Sequence, residues 1–119
     1  MAKILVVDDS SSVRTEVSEY FRSQDISVNT AVDGVDGFAK IQADTELKLV
    51  LCDVNMPNMD GFTMVEKVRE SGNSIFIIML TTEDSATLKE RGKAAGVKGW
   101  IVKPFNGDAI INTVKKMIE

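Results

Sequence analysis

The amino-acid sequence predicts an α/β fold, a doubly wound parallel sheet with helices on both faces. Two patterns carry this prediction: five short apolar runs have the composition of buried strands, and segments with apolar residues at helical spacing lie between and after them. Regular alternation of strand and helix is typical of parallel strands joined by right-handed crossovers. No linker, low-complexity tract or repeat divides the 119 residues, so we expect a single domain spanning residues 1–119.

The predicted strands are short, and most are rich in β-branched residues. In chain order they are KILVV (3–7), SVNTAV (27–32), LKLVLCD (47–53), SIFIIML (74–80) and KGWIV (98–102). The first helix is predicted from an apolar stripe of Val13, Val17, Tyr20 and Phe21, and the last from Ile110, Ile111, Val114, Met117 and Ile118. The other three helices are predicted from the patterns through VDGFAKIQ (35–42), FTMVEKVRE (62–70) and TLKERGKAA (87–95).

Charge and cysteine content narrow the classes of partner. Fourteen basic against eighteen acidic residues give a net charge of −4, which argues against general affinity for nucleic acid or for an anionic membrane. The single cysteine, Cys52, lies in a predicted strand and favours a reduced intracellular setting. The apolar runs are too short to span a bilayer, so we expect a cytoplasmic protein without nucleic-acid or membrane partners.

Polar and charged residues follow four of the predicted strands. Asp8 and Asp9 end the first strand, Asp53 the third, Thr81 the fourth and Lys103 the fifth. Open α/β sheets bind ligands at the carboxyl ends of their strands, so these residues are candidates for one site. If the first and third strands are neighbours, three carboxylates converge and repel one another unless a cation lies between them. Hard oxygen ligands of this kind favour Mg²⁺.

Four motifs, in this order and at this spacing, resemble those of the receiver domains of two-component response regulators: VVDDS, LCDVNMPNMDG, IIMLTTED and GWIVKPF. A chain of this length most resembles the single-domain CheY-like chemotaxis regulators. The resemblance spans the whole chain and implies a flavodoxin-like (βα)5 fold with strand order 2-1-3-4-5. It also implies one receiver domain over residues 1–119, without an output domain.

By this resemblance, the acidic residues bind Mg²⁺ and one of them is phosphorylated. Asp53 matches the phosphoryl acceptor, which takes its group from a phosphohistidine on a partner kinase. Asp9 matches a direct metal ligand, Asp8 one that acts through metal-bound water, and Asn55 one that contributes its backbone carbonyl. The sequence contains no histidine, so the chain itself is not the phosphohistidine donor.

The remaining matches assign a switch and an output surface. Thr81 matches the hydroxyl that binds the phosphoryl group, and Lys103 the ammonium that pairs with it. Trp100 occupies the position of the family's switch aromatic, usually tyrosine or phenylalanine, and Phe105 is assigned to the same switch. The output surface is then the fourth helix, fifth strand and fifth helix, which are locally basic at Lys89, Arg91, Lys93 and Lys98.

The partners that the resemblance implies are a histidine kinase, a phosphatase and a flagellar motor switch protein or another target, with the chain itself a monomer. We expect it to catalyse only its own phosphorylation and dephosphorylation. The other reading of the same residues is a stand-alone receiver or a phosphorelay intermediate in a pathway unrelated to motility. The motifs do not separate these two readings sharply.

Two other classes of protein fit the residues less well. A phosphohydrolase of the haloacid dehalogenase type needs a second Asp two residues after the nucleophile, where this chain has Asn55. A flavodoxin-like nucleotide-binding module would have a glycine-rich loop after the first strand, where this chain has DDSSS.

Each site residue, taken alone, also has a purely structural interpretation. Asp8 is a candidate N-cap for the first helix, a task that Ser10, Ser11 or Ser12 would share. Asp53 is a plausible loop-start residue, Thr81 a strand-end hydroxyl and Lys103 a solvated charge. Their joint placement at strand ends favours the functional reading.

Overall fold

The computed structural model describes residues 4–118 of the chain, and side chains through residue 117. Five strands alternate with five helices, as predicted. The strands are β1 Ile4–Val7, β2 Val28–Ala31, β3 Leu49–Cys52, β4 Phe76–Thr81 and β5 Gly99–Val102. The helices are α1 Ser11–Arg22, α2 Gly34–Ala43, α3 Gly61–Glu70, α4 Ala86–Ala95 and α5 Gly107–Ile118. Lys3 of the first predicted strand and the side chain of Ile118 lie outside the described part.

The five strands form one parallel sheet in the order β2-β1-β3-β4-β5, which confirms the predicted flavodoxin-like topology. β1 lies between β2 and β3, and Val7 is in register with both Ala31 and Cys52. The amide of Asp53 donates to the carbonyl of Val7 over 3.0 Å, which extends the β1–β3 pairing past the last strand residue. The first residues after β1 and β3 therefore lie side by side at one edge of the sheet.

Alternate residues of each central strand face two separate cores. Leu5 and Val7 of β1 belong to the core that α2, α3 and α4 cover, while Ile4 and Val6 belong to the core that α1 and α5 cover. All four residues are almost completely buried. This two-sided burial explains why the strands are continuous apolar runs and not alternating patterns.

Polar side chains cap all five helices and mark where they begin. The side chains of Ser10, Asp33, Asp60 and Ser85 each accept the backbone N–H three residues further on, and the side-chain oxygen of Asn106 accepts the Ala109 N–H over 3.2 Å at the start of α5. Ser10 is thus the N-cap of α1, and Asp8 is free of that task. None of the described helices is long and apolar enough to cross a membrane.

Candidate functional site

Three carboxylates meet where β1 and β3 end. Asp8, Asp9 and Asp53 each place one oxygen within 4.8 Å of the others. Asp8 is buried, Asp9 is exposed, and the side chain of Asp53 is 14% exposed. The convergence follows from the β1–β3 register, because each residue comes directly after the strand or one position later. The cluster therefore opens to solvent on the side of Asp9.

Lys103, which follows the edge strand β5, brings a positive charge to this cluster. Its Nζ lies 2.8 Å from Oδ2 of Asp8 and 3.5 Å from Oδ2 of Asp53, and its side chain is 14% exposed. The Lys103 backbone N–H donates to the carbonyl of Thr81 over 2.8 Å, continuing the β4–β5 pairing. The bond from Lys103 to Pro104 is cis.

The surroundings of the site shift the pKa of two of these groups. Burial raises the pKa of Asp8, although the hydrogen bonds from the Lys103 ammonium and the Ser10 N–H act in the opposite direction. For Lys103, burial alone would lower the pKa. The hydrogen bond to Asp8 and the negative charges of Asp8 and Asp53 have the larger effect, so the pKa of Lys103 is raised overall. Lys103 is consequently a permanent cation at neutral pH.

The cluster has the chemistry of a divalent-cation site. Three carboxylates face one ammonium, so two negative charges remain without a partner in the immediate site. Within residues 4–118, the carboxylate of Asp9 is in no ion pair with a lysine or arginine. Mg²⁺ binds carboxylate oxygens and keeps several of its waters when bound, so it suits a cluster in which one carboxylate faces solvent. The residues present therefore fit this metal.

Asn55 and Glu83 join the loops that follow β3 and β4. The side-chain amide of Asn55 donates to Oε1 of Glu83 over 2.7 Å, so this side chain is already engaged. This bond uses the side-chain nitrogen of Asn55, and the metal ligand predicted at this position is the main-chain oxygen.

Thr81 ends β4 and is completely buried. Its hydroxyl accepts the backbone N–H of Glu83 over 3.3 Å. Among the described residues, the Thr81 hydroxyl has no hydrogen bond to any carboxylate of the acidic cluster.

The two aromatics assigned to the switch lie on opposite faces of the sheet. Trp100 packs on the face of α3 and α4, where its ring lies 6.2 Å from that of Phe62 and its indole N–H donates to the carbonyl of Glu83 over 2.8 Å. Phe105 packs on the other face, with its ring edge-on to Tyr20 at 6.1 Å. Trp100 therefore contacts the loop beside Thr81, whereas Phe105 contacts α1.

Several supporting contacts were not anticipated from the sequence. A guanidinium nitrogen of Arg14 donates to the carbonyl of Asp8 over 2.7 Å and so holds the end of β1. Position 14 is the fourth residue of α1, one turn from the cap, which in retrospect directs its side chain toward that strand end.

The loop after Asp53 is tied to the start of α2. The Asp33 carboxylate accepts both the Asp36 N–H at 2.8 Å and the Asn58 side-chain amide at 2.7 Å, and the Gly34 N–H donates to the Met59 carbonyl at 3.1 Å. These bonds, together with the packing of the partly buried Met56 and Met59 side chains against the core, hold the loop in place.

Comparisons with known proteins agree with this architecture. Residues 4–115 match the response regulator receiver domain family. The chain is 40% identical to chemotaxis protein CheY1 of Helicobacter pylori strain 26695 over 106 residues, covering 87% of this chain and 86% of that protein. It is 32% identical to chemotaxis protein CheY of Treponema pallidum over 119 residues, covering 98% and 83%.

A solved structure of chemotaxis protein CheY4 of Vibrio cholerae superposes with a TM-score of 0.90 at 43% identity, covering 98% of each chain. Family match, curated relatives and structural similarity thus agree with one another over nearly the whole chain. The chain belongs to the response regulator receiver domain family of two-component systems.

Proposed function

We propose that this protein is a phosphorylation-activated switch that works in the cytoplasm as a monomer, with Asp53 as its phosphoryl acceptor. The observation that carries the proposal is the position of Lys103, whose ammonium lies 3.5 Å from the Asp53 carboxylate beside two further carboxylates. A lone acid at a strand end has many explanations. An acid flanked by a cation and by carboxylates that fit a divalent metal is the arrangement that phosphoryl transfer needs.

The reaction takes a phosphoryl group from a phosphohistidine of a partner kinase. An oxygen of the Asp53 carboxylate attacks phosphorus, the P–N bond breaks, and its electron pair leaves with the imidazole of the kinase. The product is an aspartyl phosphate, and later attack of water on it returns Asp53 to the free acid. Lys103 neutralises charge on the phosphoryl oxygens, and the buried Thr81 hydroxyl lies at the neighbouring strand end to donate to one of them.

Mg²⁺, when bound, neutralises negative charge on the transferred group. Asp9 and Asp53 would hold it directly, Asp8 through water and Asn55 through its backbone carbonyl. The Asp8 carboxylate has a second task, because its bond to Lys103 fixes the ammonium beside Asp53.

The output surface we propose is formed by α4, β5 and α5. A groove of about 490 Å³ lies between α4 and β5, and the side chains of Lys89, Lys93, Lys98 and Trp100 line it. Three ammonium groups beside an indole suit an acidic, partly apolar segment of a target protein. The chemotaxis names of the relatives in H. pylori, T. pallidum and V. cholerae support a flagellar motor switch protein as this target, with a phosphatase ending the signal.

The decisive experiment is phosphorylation with acetyl phosphate and Mg²⁺, followed by intact-mass spectrometry. We expect the wild type to gain one phosphoryl group that hydroxylamine removes, as it removes acyl phosphates. Asp53→Asn should gain none. The matched control is Asp25→Asn, the same change at an exposed residue whose φ of 59° suits asparagine. Labelling of Asp53→Asn at the wild-type level would overturn the assignment.

A further inference from the structure

Gly92 lies in the middle of α4 directly against the indole of Trp100. It is the only buried residue of this helix, all of which is described. A Cβ built on Gly92 would lie 3.0 Å from Cζ3 and 3.4 Å from Cε3 of Trp100, and 3.5 Å from Cε1 of Phe62. The first of these distances is shorter than ordinary van der Waals contact, so any side chain at position 92 would press on the indole.

The backbone gives no reason for a glycine at this position. Positive φ angles among the described glycines occur at Gly72 and Gly96, and Gly92 is an ordinary helical residue. Glycine inside a helix is less stable than alanine, because it loses more backbone entropy on folding. The missing side chain, and not backbone freedom, is therefore what the structure uses at position 92.

The polar end of the same indole is bonded to the loop beside the acidic cluster. Its N–H donates to the carbonyl of Glu83 over 2.8 Å. The side chain of Glu83 accepts the Asn55 amide over 2.7 Å, and its backbone N–H donates to the Thr81 hydroxyl over 3.3 Å. Glu83 thus connects Trp100 with the ends of both β3 and β4.

We propose that Gly92 forms a seat for the Trp100 indole, and that the seated indole positions Glu83 at the rim of the acidic site. Gly92 and Trp100 are then positioning residues that act through Glu83. The seat itself is independent of any reaction, whereas its effect on the site rests on the proposed phosphoacceptor function. A larger residue at position 92 displaces the indole, breaks its bond to Glu83 and releases the loop.

The seat is tested by fluorescence, since Trp100 is the only tryptophan in the chain. Gly92→Val should shift the emission maximum to longer wavelength and increase quenching by acrylamide, because the indole moves into water. The control is Ala94→Val, which introduces the same residue at an exposed position two residues further along the helix and on another face. Unchanged emission and quenching in Gly92→Val, or an equal change in Ala94→Val, would overturn the seat.

A milder pair of variants covers the case in which valine unfolds the protein. Gly92→Ala removes the helical cost of glycine, so in a Trp100→Phe background it should raise the Tm. With Trp100 present, the same change should raise the Tm less, or lower it, because the methyl group presses on the indole. Equal changes in Tm in the two backgrounds would show that position 92 and the indole are not coupled, which overturns the seat.

The positioning of Glu83 is tested by titration with beryllofluoride, a mimic of the phosphoryl group, in Mg²⁺. Gly92→Val and Glu83→Ala should each change the dissociation constant of beryllofluoride by about fivefold and in the same direction. A change of about fivefold is the lower end of the range that is typical of coupled sites. The double variant should show no more than the change in Glu83→Ala alone. Additive effects, or displacement of the indole without a change in affinity, would overturn the positioning role. A wild type that binds no beryllofluoride would instead overturn the proposed function, and the fluorescence comparison would still decide the seat.

Discussion

The ammonium of Lys103 donates a hydrogen bond to Oδ2 of Asp8 over 2.8 Å, although 95 positions separate the two residues in the chain. Their side chains are 14% and 3% exposed, so this ion pair is largely removed from water. Removing one partner of a buried pair leaves an uncompensated charge, which costs more than the pair itself contributes. The pair therefore connects the stability of the fold with the charge balance of the site.

Lys103→Met should destabilise the metal-free protein by about 2 kcal/mol, less than the 3–5 kcal/mol of a fully buried pair because Lys103 is partly exposed. Asp8 and Asp53 then repel each other without an intervening cation. Added Mg²⁺ should recover part of the loss, since it supplies positive charge to the same carboxylates. Urea unfolding in EDTA and in MgCl₂ measures both effects, with Lys48→Met, an exposed lysine, as the control. Equal loss of stability in both buffers would argue that the metal does not contact this cluster.

Mg²⁺ should stabilise the wild type against heat, and Asp9→Ala should abolish most of that effect. Ligand binding to the folded state adds about 2.7 kcal/mol when the free ligand is at 100 times its Kd. Asp9 is exposed and makes no ion pair with a described residue, so in EDTA its removal should not lower stability, because it relieves repulsion within the acidic cluster. Thermal melts with and without Mg²⁺ give both numbers, and Glu19→Ala, an exposed acid on α1, is the control. Full Mg²⁺ stabilisation of Asp9→Ala would place the metal elsewhere.

Much of the fold could be predicted because its three central strands are buried on both faces. Continuous apolar runs such as Ile4–Val7 identify strands without any knowledge of their neighbours, and the strand-end rule then selects the carboxylates and Lys103. Strand ends were less certain: Val32 was predicted in β2, yet it lies beyond that strand and is 48% exposed. A single apolar residue next to a turn does not reveal whether the ladder continues.

The contacts that connect the site with its surroundings could not be predicted in the same way. The hydrogen bond of Trp100 to the Glu83 carbonyl depends on a rotamer and on the path of the β4–α4 loop, neither of which has a periodic signal. Phe105 lies on the face opposite Trp100 because the chain turns at Pro104 toward α5. The resemblance that assigned both aromatics to the switch did not reveal that they face different cores. Loop geometry depends on tertiary contacts that leave no periodic pattern in the sequence, whereas a buried strand leaves a continuous apolar run.

Asp33 should make stability depend on pH under acidic conditions. The Asp36 N–H and the Asn58 amide both bond its carboxylate and hold the pKa of Asp33 below its ordinary value. A carboxyl group with a lowered pKa in the folded state stabilises fully above its unfolded pKa of about 3.9, and loses this contribution as the pH falls through the folded value. Between about pH 5 and 7 the Asp33 carboxyl is ionised in both the folded and the unfolded state, so Asp33→Ala should lower the Tm by a constant amount there. The difference from wild type should shrink below about pH 3.9.

Asn58→Ala tests the same contact from the other side, because its amide bonds the ionised form of Asp33. Its destabilisation should show the same decrease in acid, added to a pH-independent cost, because Asn58 has a φ of 68° that alanine disfavours. Asn29→Ala, at an exposed asparagine, is the control without such a partner. A destabilisation by Asp33→Ala that persists unchanged in acid would mean that the charge of Asp33 contributes nothing and that only its capping geometry matters.

Gly61→Ala should destabilise the protein by about 2–3 kcal/mol, the upper range for overpacking, although alanine is the better helix former. Gly61 begins α3, and its N–H donates to the Val54 carbonyl over 2.9 Å, which folds the loop back toward Asp53, the proposed phosphoacceptor. A Cβ there would lie 2.2 Å from the carbonyl oxygen of Asp53, a backbone atom that yields only if Asp53 itself moves. The substitution should therefore weaken Mg²⁺ binding as well as stability.

Gly72→Ala is the comparison, because a Cβ at Gly72 meets open space and only its φ of 87° opposes the change. It should lower stability by about 1–2 kcal/mol, the cost of a left-handed residue, and leave Mg²⁺ affinity unchanged. Urea unfolding and Mg²⁺ titration of both variants separate the two causes, and a Gly61→Ala protein with wild-type Mg²⁺ affinity would show that the loop does not hold Asp53 in place.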